Sequence, residues 1–210
     1  MQCTARTLAP RAPAGTGRRA TAAMAALAAA VALWLTPPAQ AADRIAVASA
    51  QLALVVDGGE PGVTLDADFD FELPYVLEDA VNRGIALYFV IDFELYRERW
   101  YWFDRQLAQR SLTYRLTYSA LTRQYRLARG SLALPFDSLA EALNAMRRVR
   151  GWKVLERGTL KPDEDYRAQL RMRLDTSQLP KPFQINAFTN RDWTLASDWR
   201  TVSVSADLAR

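Results

Sequence analysis

Six apolar residues, Ile85, Leu87, Phe89, Ile91, Phe93 and Leu95, occupy every second position of the run IALYFVIDFELYRER. Strand side chains alternate between two faces, so a pleated strand puts this whole row on one side. The opposite side begins apolar with Tyr88 and Val90 and becomes charged at Asp92, Glu94 and Glu98. A central strand, buried on both faces at its start and half exposed later, accounts for that change. A chain with such a segment has to pair strands on both sides of it and cover at least one face.

The flanking segments supply those neighbours. RIAVASAQLALVV alternates small or apolar residues with polar ones and stops at DGGEPG, a glycine- and proline-rich turn signal. VTLDADFDFEL then sets Asp66, Asp68, Asp70 and Glu72 on one face and Ala67, Phe69, Phe71 and Leu73 on the other. In SLTYRLTYSAL, Leu112, Tyr114, Leu116 and Tyr118 oppose Thr113, Arg115 and Thr117, and RQYRLARG continues with Tyr125 and Leu127. WKVLE reads as a short strand. YRAQLRMRLD alternates Tyr166, Ala168, Leu170, Met172 and Leu174 against Arg167, Gln169, Arg171 and Arg173, and DWRTVSVS closes the series.

Two helices interrupt the strands. Pro74 opens PYVLEDAVNRG, and Gly84 is its natural stop. The run from Ser138 to Arg150 carries Leu139, Leu143, Met146 and Val149 at helical spacing, with Asp137 or Ser138 as N-cap and Gly151 as its end. The sum predicts a β-rich α+β fold: an antiparallel sheet or sandwich of about seven to eight strands with two helices packed against it.

The first 41 residues follow other rules. Arg6, Arg11, Arg18 and Arg19 precede any acidic residue, and ATAAMAALAAAVALWL is apolar from Ala20 to Leu35 apart from Thr21. Pro37 and Pro38 follow, then AQA at Ala39 to Ala41. Charge, apolar run and small-residue site in that order predict a secretory signal segment, 1–41, cleaved after Ala41. The apolar run is shorter than the ~20 residues of a spanning helix. The expected destination is therefore export to the periplasm, the alternative being inner-membrane anchoring by an uncleaved leader. Residues 42–210 form one domain.

Without the leader the charge balance is 27 − 4 = 23 basic residues against 23 acidic ones. A formally neutral domain lacks the basic excess of a nucleic-acid binder, so no nucleic-acid partner is expected. Cys3, the single cysteine, lies in the leader, and the chain has no histidine. A histidine base, a histidine–zinc site and Ser-His-Asp chemistry are thereby excluded. Carboxylates, tyrosines, hydroxyls and the lysines Lys153, Lys161 and Lys181 remain. No cofactor, metal or catalytic residue is assigned.

Four blocks, LEDAVNRGIALYFVIDFEL, RWYWFD, TYRLTYSALTRQYRL and LPKPFQINAFTNRDWTLASDW, stand in this order along the chain. Together they resemble the exported proteobacterial proteins grouped as domain of unknown function 4390, over about Asp43 to Val204. The resemblance implies an N-terminal signal segment and one domain. It assigns no activity, cofactor or site residue.

The candidate sites rest on the residues alone. In RERWYWFDR, continuation of the strand phase would turn Arg97 and Arg99 into the core, so the strand has to end or change register near Tyr96. Trp100, Tyr101, Trp102 and Phe103 then either plug an open end of the core or rim a binding surface, since tryptophan and tyrosine favour half-wet positions. Arg191, Asp192 and Trp193, within a proline-rich stretch of loop character, form a second aromatic candidate. The comb Asp66, Asp68, Asp70 and Glu72 is strung along one line about 7 Å apart, which does not converge on calcium. Its expected partners are arginines of a neighbouring strand.

Arg115, Arg126, Arg167, Arg171 and Arg173, opposite Asp92 and Glu94, pair across strands or hold an anion through forked hydrogen bonds. The expected function is that of an exported, non-enzymatic envelope protein. It binds a protein partner or a lipid-like ligand through an aromatic-rimmed surface and can touch a membrane surface. The alternative is a histidine-free carboxylate hydrolase acting on envelope glycans.

Overall fold

The computed structural model describes residues 45–55, 61–98, 104–184 and 193–209. Within the compact unit Ala42–Arg210, the order is β1 (Ala46–Val55), β2 (Gly62–Asp70), α1 (Tyr75–Asn82), β3 (Leu87–Arg97), β4 (Arg105–Ser119) and β5 (Gln124–Arg129). There follow β6 (Leu132–Phe136), α2 (Leu139–Arg147), β7 (Arg148–Glu156), β8 (Tyr166–Leu174) and β9 (Arg200–Val202). Nine strands make two antiparallel sheets, one of three strands in the order β1-β2-β7 and one of six in the order β6-β5-β4-β3-β8-β9. The β-rich α+β expectation holds, with one strand more than the sequence pattern counted.

β3 is the inner strand that its periodicity requires. Leu87, Phe89, Ile91, Phe93 and Leu95 are fully buried on the core face. The neighbours present matching apolar rows, Tyr114 and Leu116 from β4 and Ala168, Leu170, Met172 and Leu174 from β8. This face is covered in two halves. The helices lie over the β4–β6 side, where α1 touches β4 and α2 touches β5 and β6. The three-stranded sheet covers the rest, and the Phe71 and Phe89 rings stack at 5.9 Å while Phe93 meets Trp152 edge-on at 6.5 Å. All these residues belong to one hydrophobic cluster.

The helix ends follow local chemistry. Gly84 has φ 87°, its N–H donates to Val81 O at 2.9 Å, and Ile85 N–H donates to Ala80 O at 3.0 Å. This left-handed stop satisfies carbonyls that the last turn of α1 would leave orphaned. For α2 the N-cap is Ser138, whose Oγ accepts Glu141 N–H at 3.2 Å.

The sequence reading ran α2 to Arg150, but the helix ends at Arg147 and β7 begins at Arg148. Val149 therefore faces the core from a strand, and Gly151, at φ 59°, sits inside β7 rather than capping a helix. The β2–β7 register slips between Leu65 and Ala67, next to this glycine, as a bulge does. Near Tyr96 the strand ends, at Arg97, as expected; it keeps its phase against β8 to that point, and the register shift against β4 between Leu95 and Tyr96 comes from an extra residue, Leu107, on β4.

Close approach of β2 and β7 sets one glycine requirement. A Cβ on Gly62 would lie 2.6 Å from Leu155 O and 2.9 Å from Lys153 Cε. Gly62→Ala is expected to lower stability by about 1–3 kcal/mol, the usual cost of overpacking. Urea unfolding of the two proteins measures it, and an unchanged midpoint would contradict the tight β2–β7 approach.

Candidate functional site

The face of the six-stranded sheet turned away from the core carries the side chains of alternate residues in β3, β4, β5 and β8. Cross-strand register puts Asp92 between Ser111 and Arg171, Glu94 between Gln109 and Gln169, Val90 between Thr113 and Arg173, and Tyr96 beside Arg167. Arg115 and Arg126 extend the face through β4 and β5. On these four strands, five arginines meet two carboxylates.

Asp92 is the anchor. It is 6% exposed and is the buried charged residue among the described ones. Its Oδ1 accepts Ser111 Oγ at 2.9 Å, and its Oδ2 accepts Arg171 Nε at 3.2 Å and Arg173 Nε at 3.0 Å. Burial pushes the Asp92 carboxyl up, but hydrogen bonds from Arg173, Ser111 and Arg171, with the charge of Arg173, outweigh it and hold the group below its ordinary value.

Both arginines spend Nε on Asp92, and their side chains stay about a third exposed (35% and 34%). Arg173 Nη1 lies 3.8 Å from Asp175 Oδ1. The Arg171 guanidinium stacks over Trp199 at 4.4 Å, and Trp199 is itself 37% exposed. Stacking and a fixed carboxylate together lock the fork in one plane.

The rest of the face continues this polar mesh. Glu94 Oε2 accepts Tyr96 Oη at 2.7 Å and Gln169 Nε2 at 2.8 Å. Arg167 lies over the Tyr96 ring at 5.7 Å, pairs with Asp104 and stands 3.7 Å from Glu98. Asp92 and Glu94 thus sit side by side on one strand, each occupied by donors.

The other sequence candidates fare differently. Trp100, Tyr101, Trp102 and Phe103 lie outside the described residues, as do Arg191 and Asp192. Trp193 is described. It is 6% exposed, packs on Phe183 at 5.4 Å and belongs to the core cluster. The acidic comb is tied to β7 and β1: Asp68 accepts Arg150 Nη2 at 2.5 Å and Ser49 Oγ at 2.8 Å, and Asp66 accepts Gly151 N–H at 2.7 Å. Among the described residues no group of three or more acidic, histidine or cysteine side chains converges as metal ligands would. Trp199 was missed as a site residue. Its place beside the arginine row follows from the pairing of β9 with β8, which sequence spacing alone does not give.

Comparison with known proteins bears on the whole chain. A family described as Domain of unknown function (DUF4390) matches residues 42–203. The chain belongs to this family. DUF4390 thus covers every element from β1 to β9, including both sheets and the Asp92 cluster. No curated protein and no solved structure matches the chain.

Asp92 gives a pH signature. With its pKa held low in the folded state, it contributes stability that is complete above its ordinary value of 3.8 and fades as pH falls through the folded value. Asp92→Asn is expected to cost about 2 kcal/mol at pH 7, less than the ~3–5 kcal/mol of a fully buried pair because the arginines stay partly wet. Denaturant melts of both proteins from pH 7 to pH 2.5 should show the gap closing at the acidic end. A gap independent of pH would contradict the ion-pair assignment.

Proposed function

We propose that this domain is an exported envelope protein that works by binding, and that it takes a lipid-like ligand with an anionic head on the outer face of the six-stranded sheet. The observation that carries this reading is the Asp92–Arg171–Arg173–Trp199 cluster. A buried carboxylate holds two partly exposed guanidinium groups by their Nε atoms, and a half-exposed indole lies against one of them. Forked guanidinium donors match the oxygens of phosphate and carboxylate. Tryptophan suits a boundary where one side of the ring is apolar and the other wet.

Net charge does not single out an anion, since the five arginines of this face stand with Asp92 and Glu94 and also with Glu98, Asp104 and Asp175; the support is the paired guanidinium groups of Arg171 and Arg173 on one carboxylate oxygen. Export rests on the leader, with its basic start, apolar run and Ala39-Gln40-Ala41 site. Among the described residues no helix is long and apolar enough to cross a membrane. A glycan hydrolase would need two carboxylates across a cleft, whereas Asp92 and Glu94 share one strand face and are engaged by donors.

Vesicle binding tests the reading. The domain 42–210 should associate with vesicles of 30% phosphatidylglycerol in phosphatidylcholine, weakly with pure phosphatidylcholine, and less as salt rises. Trp199→Ala and Arg171→Lys should each weaken this association about fivefold or more without moving the thermal midpoint by more than a few degrees. Neither change leaves Asp92 without a cationic neighbour. Equal binding to both vesicle types, or full binding by both variants, would defeat the proposal.

A further inference from the structure

A second site lies on the other side of the molecule's secondary structure, where the segment leading into α1 faces α2. The two enclose a cleft of about 350 Å3, within the lower range of ligand-sized pockets. Leu139, Leu143 and Arg147 line it from one stripe of α2 at i, i+4 spacing. Leu73 closes the apolar floor, and Glu72 and Glu78 stand at the rim. Tyr75, on the same segment as Leu73 and Glu78, is 81% exposed.

The charges of this cleft are unevenly committed. Arg147 is turned into the fold: Nη1 donates to Asn144 Oδ1 at 2.9 Å, Nη2 donates to Phe71 O, and the guanidinium lies 5.4 Å from the Phe71 ring centre. It makes no ion pair with either rim glutamate. The side chains of Glu72 and Glu78 make no hydrogen bond or ion pair among the described residues, and both residues are exposed. Their carboxylates share the cleft with Leu73, Leu139 and Leu143 and with Arg147, whose Nε is buried without a hydrogen-bond partner. Their complement is a chain that offers an apolar side chain between or beside basic ones.

We infer that the α1–α2 cleft is a docking site for a basic, apolar peptide segment of a protein partner. A leucine-like side chain fills the floor of Leu73, Leu139 and Leu143, lysines or arginines on the same segment meet Glu72 and Glu78, and Tyr75 packs on its flank. Tyrosine is enriched among the residues that carry most binding energy once a partner buries them, and charges at a rim influence which partner is accepted. The site uses none of the residues of the arginine face, so either reading can fail without the other.

The test uses three fluorescein-labelled peptides, GSKLLKSG, GSELLESG and GSKSSKSG, titrated into the domain and followed by fluorescence polarisation. GSKLLKSG should bind at least tenfold more tightly than the other two. The double variant Glu72→Lys/Glu78→Lys should lose that preference, and Ala140→Trp, which fills the cleft from an exposed position of α2, should weaken binding at least tenfold. Asp163→Lys, a charge change outside the cleft, should leave it intact. Thermal melts accompany each protein, and the glutamate pair, being exposed, keeps the test valid if Ala140→Trp shifts the melt. Failure of the wild type to discriminate among the peptides would overturn the inference. So would unaltered binding by the glutamate variant, or equal loss with Asp163→Lys.

Discussion

Everything in this domain depends on keeping β3 dry on its core face. Leu87, Phe89, Ile91, Phe93 and Leu95 are each fully buried, and burying a side chain of this kind is worth about 1.5–3 kcal/mol. With a single cysteine, Cys3, the chain has no internal disulfide to share the task. The cover is composite, helices over one half and a three-stranded sheet over the other, joined through Phe71, Phe89, Phe93 and Trp152. A short helix such as α1 is not stable alone. It persists because Leu77, Ala80 and Val81 close over that row.

The same strand creates the polar site. A strand with neighbours on both sides has a second face, and on β3 that face is partly shielded by the long side chains flanking it. Val90 and Asp92 are both 6% exposed. Leaving a carboxylate there without donors would be costly, so Ser111, Arg171 and Arg173 are recruited from the two adjacent strands. The placement of the two arginines side by side is thus a by-product of what holds Asp92 in place. On the proposed reading, the same three hydrogen bonds would serve both stability and recognition.

Much of this was legible because period-two patterning is a local property. The faces of β2, β3, β4 and β8 can be read residue by residue, and so can the end of β3 near Tyr96, since Arg97 falls on the core side of the strand, where it pairs with Glu164. Features set by partners were harder to read. LALPF has a proline and exposed leucines, so nothing marked Leu132–Phe136 as a strand until β5 was there to pair with it. Arg148 to Arg150 looks helical because Val149 continues the spacing of Met146, yet pairing with β2 draws that segment into β7. Gly151 is a stop in one context and a bulge in the other. For the site, the arginine row and Asp92 were visible in sequence, but two forks meeting on one oxygen needed the β3–β8 register. Trp193 was visible only as an aromatic in a loop. Its burial against Phe183 reflects tertiary packing that no spacing encodes.

The outermost strand of the large sheet has a consequence of another kind. Leu132 and Leu134 on β6 are exposed, and the strand's far side has no described neighbour. An unpaired rim with apolar teeth invites another chain to add itself and continue the sheet into a polymer. Pro135, next to the end of β6, has no N–H to give to a ladder. With five residues, one of them mute as a donor, the strand is a poor template. A chain crowded among copies of itself is thereby hindered from growing into fibrils by one imino acid at its margin.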